Sequence, residues 1–100
     1  MRAIGILEAG GPEVLQIVEL PEVHAGRNQV RVRIKAVAVN PVDTMLRVGK
    51  KFDQTNPEPF ILGMDLAGHI DEIGPETKTD FDIGDPVIAM TLPREGLGSY

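Results

Sequence analysis

Between Gln29 and Lys35 the chain alternates strictly: Val30, Val32 and Ile34 share one face, and Arg31, Arg33 and Lys35 share the other. Period-two spacing of this kind predicts a strand with an aliphatic inner face and a solvated outer one. After Lys35 the alternation lapses into Ala36-Val37-Ala38-Val39, apolar on both faces. The strand over 29–40 is therefore expected to run into the interior and to deliver Asn40 at its buried end. Asn40-Pro41 reads as a helix start, with Asn at the cap and Pro where its missing N–H costs nothing. Val42, Met45 and Leu46 recur at helical spacing and Gly49 is a stop signal, so a short helix is predicted over 41–48.

The remaining pattern is strand and turn. Residues 2–8 read as a first strand, broken by Gly10-Gly11-Pro12. Residues 14–20 read as a second, closed by Pro21, which cannot join a central ladder. His24-Ala25-Gly26-Arg27-Asn28 is a turn and 50–59 a polar loop with Asn56-Pro57 and Glu58-Pro59 as breakers. Further strands are predicted over 67–73 and 86–90, the latter after a turn at Gly84-Asp85. Short strands punctuated by Gly and Pro, with a single short helix, predict a mainly β fold of barrel type.

Composition narrows the function. One hundred residues make one domain at most. A hydrophobic share of 42% with 25% charged residues is that of a soluble globular chain. No apolar run reaches the ~20 residues of a membrane span, and Glu8 interrupts the only N-terminal apolar stretch, so a cytoplasmic protein is expected. Cysteine is absent and there are two histidines, His24 and His69. Disulfides, thiol catalysis, thiolate metal sites and a three-histidine zinc site are thereby excluded from this chain. A net charge of −5 and an aromatic content limited to Phe52, Phe60, Phe81 and Tyr100 argue against a nucleic-acid surface.

Several short motifs occur in a familiar order. They are Gly10-Gly11-Pro12-Glu13-Val14-Leu15, then Asn40-Pro41-Val42-Asp43 with Arg47 and Gly49, and then Gly63-Met64-Asp65-Leu66-Ala67-Gly68. Gly84-Asp85-Pro86-Val87 and Gly98-Ser99-Tyr100 complete the set. In this order they resemble the N-terminal GroES-like domain of the medium-chain dehydrogenase/reductase superfamily, and most closely its zinc-independent quinone oxidoreductase (zeta-crystallin-like) branch. The resemblance implies a GroES-like β-barrel with one or two short helices over residues 1–100, a partial domain that ends before the Rossmann domain of such enzymes. No strand–Gly-x-Gly-x-x-Gly–helix unit occurs here, so dinucleotide phosphates would be held elsewhere. Where zinc-binding relatives carry a Cys and a His, this chain has Asn40 and Met64; a neutral amide and a thioether are poor zinc ligands, and no zinc is expected.

The family reaction is hydride transfer from NADPH to a small-molecule quinone or conjugated carbonyl. By resemblance Asn40 and Asp43 carry catalytic roles, and Asn40, Met45 and Arg47 contact the cofactor. Met45 stands where many quinone oxidoreductases have a Tyr; a thioether donates no hydrogen bond, which opens the range to enones and aldehydes. Read from spacing alone, Asn40 is a helix cap, and Asp43 and Arg47 are an i,i+4 ion pair worth ~0.2–0.5 kcal/mol. Met64 lines the cleft or the core, Asp65 braces its turn through backbone hydrogen bonds, and His69 is an exposed surface residue. An incomplete barrel would leave a strand edge near Tyr100 open to a second copy, giving a possible homodimer. The alternative is a co-chaperonin-like or non-catalytic interaction module, since chaperonin-10 has a similar length and a similar Gly84-Asp85-Pro86-Val87 turn.

Overall fold

The computed structural model describes residues 1–49, 59–91 and 98–100. The loop predicted over 50–59 lies, apart from Pro59, outside the described residues. In chain order the elements are β1 (Arg2–Ile6), a 3-10 turn (Pro12–Val14), β2 (Gln16–Glu19), β3 (Val30–Ala36), α1 (Pro41–Arg47), β4 (Phe60–Ile61), β5 (Asp65–Ile73) and β6 (Pro86–Met90). They form two antiparallel three-stranded sheets of order β2-β1-β4 and β3-β5-β6. Among the described residues the fold is mainly β with one α-helix, as the pattern predicts. Among the described residues no strand pairing joins the two sheets into a closed ring.

Helix α1 covers the first sheet. Its buried Leu46 packs with Ile6, Phe60 and Leu62, and Val14, Leu15, Val42 and Tyr100 pack around them. Burial of each large aliphatic contributes roughly 1.5–3 kcal/mol. Phe60 and Ile6 are partners across β4 and β1, so helix packing and strand register reinforce each other. The helix stops where expected: Val48 caps it and Gly49 takes φ +95°, a conformation that favours glycine.

Two expectations are corrected here. Val14 is not in a strand, because Pro12 starts a 3-10 turn in which Val14 N–H donates to Gly11 O and Leu15 N–H to Pro12 O. The turn lets Val14 reach the core, and β2 begins only at Gln16. The apolar run after β3 does not enter the interior either: Val37 is 39% and Val39 74% exposed. It leaves the ladder after Ala36 and, with Ile34, lines a cavity of about 950 Å³ between β3 and β1. Apolar residues on both faces signal contact with hollow space here, not with packed core.

The strand edge expected to be open near Tyr100 is paired. Tyr100 N–H donates to Leu62 O at 2.9 Å and its carbonyl accepts from Ile4 N–H at 2.9 Å, while Gly98 N–H donates to Ile61 O. Residues 98–100 thus run beside β1 and β4. The outer face of β6 is a different matter, with Ile88 86% and Met90 78% exposed.

Candidate functional site

Once β3 has left its ladder, the backbone of residues 37–40 needs new partners. The Asp65 carboxylate, at the first position of β5, supplies one of them and also holds the Asn40 side chain. Its Oδ1 accepts Ala38 N–H at 3.0 Å and its Oδ2 accepts an amide hydrogen from Asn40 Nδ2 at 3.0 Å. Asn40 is extended, with φ −113° and ψ 157°, and its carbonyl accepts Asp43 N–H at 2.9 Å. Asp43 returns the contact, its Oδ2 accepting Asn40 N–H at 2.8 Å, the half of a capping box that the third helical residue supplies. Asn40 is therefore held from both sides.

Asp43 lies beneath this residue and is 2% exposed. Its Oδ1 accepts Gly63 N–H at 3.0 Å, and its Oδ2 also accepts the Tyr100 hydroxyl at 3.0 Å. A buried carboxylate with its lone pairs taken up by neutral donors is a structural anchor. Proton transfer to a substrate is not what this placement suits. Burial, then the hydrogen bond to Asp43 and the charges of Asp43 and Asp65, push the Tyr100 phenol up to about 12. Gly63 adopts φ +100° at the point of contact, and a Cβ there would sit 3.0 Å from the Ser99 backbone nitrogen. No other residue fits this position without movement of the 98–100 segment.

The expected site residues therefore separate. Asn40 and Asp43 are brought together and bonded directly. Arg47 turns away: its Nε donates to Gly10 O at 3.3 Å and its carbonyl accepts Gly10 N–H, so it fastens α1 to the 9–11 segment. Among the described residues no Asp43–Arg47 ion pair forms, because the Asp43 carboxylate is buried on the core side of the helix. Met45 is 38% exposed, on the solvent side of α1. Met64 accepts Thr91 N–H through its carbonyl and His69 is exposed on β5. Asp65 does brace backbone, but that of the β3–α1 connection across the sheet and not that of its own turn. Tyr100 was not singled out by spacing. A lone tyrosine at the end of a Gly-Ser-Tyr stretch is the available signal, and only the fold brings it to Asp43.

Among the described residues no group of three His, Cys, Asp or Glu side chains is placed to hold a metal ion. No described helix is long and apolar enough to cross a membrane. Residues 26–99 match the alcohol dehydrogenase GroES-like domain. The chain belongs to that family.

Its relatives include several quinone oxidoreductases. A quinone oxidoreductase of Lama guanicoe is 38% identical over all of this chain, which spans 30% of that protein. The human quinone oxidoreductase is 34% identical with the same coverage. An alcohol dehydrogenase superfamily protein from Novosphingobium aromaticivorans superposes with a TM-score of 0.82 at 38% identity, over 98% of this chain and 29% of that one. The Escherichia coli quinone oxidoreductase complexed with NADPH gives 0.78 at 33% identity, over 88% and 26%. This GroES-like domain thus belongs to the medium-chain dehydrogenase/reductase superfamily and spans less than a third of the length of these relatives.

A nicotinamide ring needs an apolar surface and a hydrogen-bonding partner for its carboxamide. The domain offers both: Val39 is 74% and Met45 38% exposed, and Asn40 keeps one amide hydrogen after its bond to Asp65. The residues fit that end of the cofactor. The phosphate-binding turn has no counterpart in the sequence.

Proposed function

We propose that this domain forms the substrate-side wall of an NADPH-dependent reductase acting on quinones or conjugated carbonyls without zinc. The observation that carries the reading is Asn40, whose backbone N–H is held by Asp43 and whose side-chain amide donates one hydrogen to the Asp65 carboxylate with one N–H left over. The relatives named quinone oxidoreductase, and the neighbour complexed with NADPH, support the reaction class. NADPH, when bound, supplies the hydride; this domain binds, orients and excludes water. Asn40 supplies an oriented donor for a carbonyl oxygen, Val39 and Met45 supply apolar surface, and Asp43 holds α1 at its distance from β5. Arg47 supports the helix from behind. A fixed hydrogen-bond donor in a water-poor cleft polarises a carbonyl in place of a Lewis acid.

The cofactor-binding domain lies elsewhere in the enzyme on this reading, and the setting is cytoplasmic. A homodimer remains part of the proposal, with the exposed Ile88 and Met90 on β6 as an apolar surface available for it. The test is NADPH oxidation by the full-length enzyme with 1,4-benzoquinone and with a simple enone, each with and without a chelator. Chelator-resistant turnover is the expected result, and preference for the enone would follow from Met45 in place of a phenol donor. Loss of turnover with chelator would overturn the zinc-free assignment.

A further inference from the structure

The Asn40 amide has two unlike edges, and only one of them can face Asp65. A carboxylate accepts and never donates when ionised, so the nitrogen edge must lie against Asp65 Oδ2, as it does at 3.0 Å. Turned over, Asn40 would set its oxygen against a carboxylate oxygen. Asp65 is itself fixed, since Ala38 N–H donates to its other oxygen at 3.0 Å and β5 pairs it with Met90 of β6. A hollow of about 630 Å³ opens beside it, walled in part by Ala38, Leu66 and Met90. The polarity of Asn40 is thus dictated from the neighbouring sheet.

We propose that Asp65 is a positioning residue that fixes Asn40 as a hydrogen-bond donor, and that the remaining N–H is offered to a carbonyl oxygen in the cleft. The inference rests on the reductase reading above for the carbonyl, but not for the orientation of the amide. Two carbonyls have the required chemistry: that of the substrate and that of the nicotinamide carboxamide.

The D65N variant isolates the effect. Its new amide must use the oxygen for Ala38 N–H, which turns the NH2 toward Asn40 and forces the Asn40 amide to flip. The shape of the site is unchanged and the donor at position 40 becomes an acceptor. The double variant N40D/D65N restores the bond in reverse, from the amide at position 65 to the carboxylate at position 40. No side-chain N–H is then left at position 40.

The experiment uses the full-length enzyme with selectively 15N-labelled asparagine. In the wild type one Asn40 side-chain proton is expected to be protected from exchange, and D65N to lose that protection. Turnover of NADPH with 1,4-benzoquinone is expected to fall by ~100-fold in D65N, the loss typical of one removed donor. N40D/D65N is expected to recover the wild-type Tm while turnover stays low. A substrate carbonyl as target appears as a lower kcat with unchanged NADPH Kd; a carboxamide target appears as weaker NADPH binding. Turnover restored along with Tm in the double variant would show a purely structural role and overturn the proposal. So would D65N turnover within about twofold of wild type, or free exchange of both Asn40 protons in the wild type. If no form of the enzyme oxidises NADPH with any acceptor, the reductase reading fails, and the exchange measurement still decides the amide orientation.

Discussion

Strand β5 carries a carboxylate cluster at each end, and the two do different work. At its start Asp65, with Asp43 behind it, binds neutral donors: three backbone N–H groups, of Ala38, Asn40 and Gly63, and the Asn40 side-chain amide, with the Tyr100 hydroxyl completing the set. At its far end Asp71 and Glu72 bind cations. Arg31 Nε lies 2.8 Å from Asp71 and its NH1 3.5 Å from Glu72, and His24 Nδ1 lies 3.1 Å from Glu72. Both clusters fasten a connecting segment to the same strand. The first does it with neutral donors alone; the second adds one backbone bond, from Ala25 N–H to Glu72, to half-buried ion pairs that are weakened by salt. Directional donors fix the orientation of a side chain, and an ion cluster fixes only proximity. That is why the candidate site lies at the first end.

The largest effect should come from breaking the buried anchor. D43A leaves Gly63 N–H and Asn40 N–H without their acceptor and the Tyr100 hydroxyl with only the Ala38 carbonyl at 3.4 Å. Charge-assisted bonds contribute roughly 1.5–3 kcal/mol each and unsatisfied buried donors add to the loss, so a destabilisation of about 3–5 kcal/mol is expected. Denaturant unfolding of the variant against the parent measures it. A loss below about 1 kcal/mol would mean that water replaces the carboxylate freely and that the node is not rigid.

Next in size is the phenol. Y100F removes one of the bonds to Asp43 and should cost about 1–2 kcal/mol near neutral pH. The pH dependence gives the sharper readout. Folding raises the phenol from its ordinary value near 10 to about 12, so the folded state holds the proton more tightly than the unfolded one. The associated stability is complete below pH ~10 and is lost as pH rises toward 12. Tyr100 is the only tyrosine in this chain and there is no tryptophan, so absorbance of the tyrosinate follows the titration directly. In Y100F the stability decline over that window should flatten. An ordinary midpoint near 10 in the folded parent would show that the Asp43 contact does not form in solution.

The fold was legible where sequence alone determines structure. Strict alternation marked β3, and Asn40-Pro41 with Gly49 bracketed α1 to within a residue. The capping residue was legible too, since Asn before Pro has few other uses. What could not be read was anything that depends on two segments meeting. Asp65 and Asn40 are 25 positions apart, and Tyr100 and Asp43 are 57 apart. Spacing within α1 suggested an Asp43–Arg47 pair, but the core claims Asp43 and Gly10 claims Arg47, because tertiary donors outcompete a surface pair worth a few tenths of a kcal/mol. The run 36–39 misled for the same kind of reason: apolar side chains face a cavity wall as readily as a packed interior.

The smallest effect belongs to the charged end, and it tests the contrast from the other side. Glu72 accepts Ala25 N–H and meets His24 and Arg31. The hydrogen bonds from His24 and Ala25, followed by the Arg31 charge, hold its carboxyl below the usual range. Asp71 and its neighbours raise Arg31 correspondingly. A depressed carboxyl contributes stability above its unfolded value, which is lost as pH falls through the folded one. E72Q should therefore flatten part of the acid limb of the stability profile, with a small loss of stability near neutral pH that disappears as pH falls through the folded value. Raising salt toward 1 M, where charges more than ~3 Å apart are screened, should shrink even that difference. The cost of D43A should be nearly indifferent to salt over the same range, because its partners carry no charge. If E72Q proved as damaging as D43A, and as insensitive to salt, the two ends of β5 would be alike. The orienting role would then not be particular to the neutral-donor end.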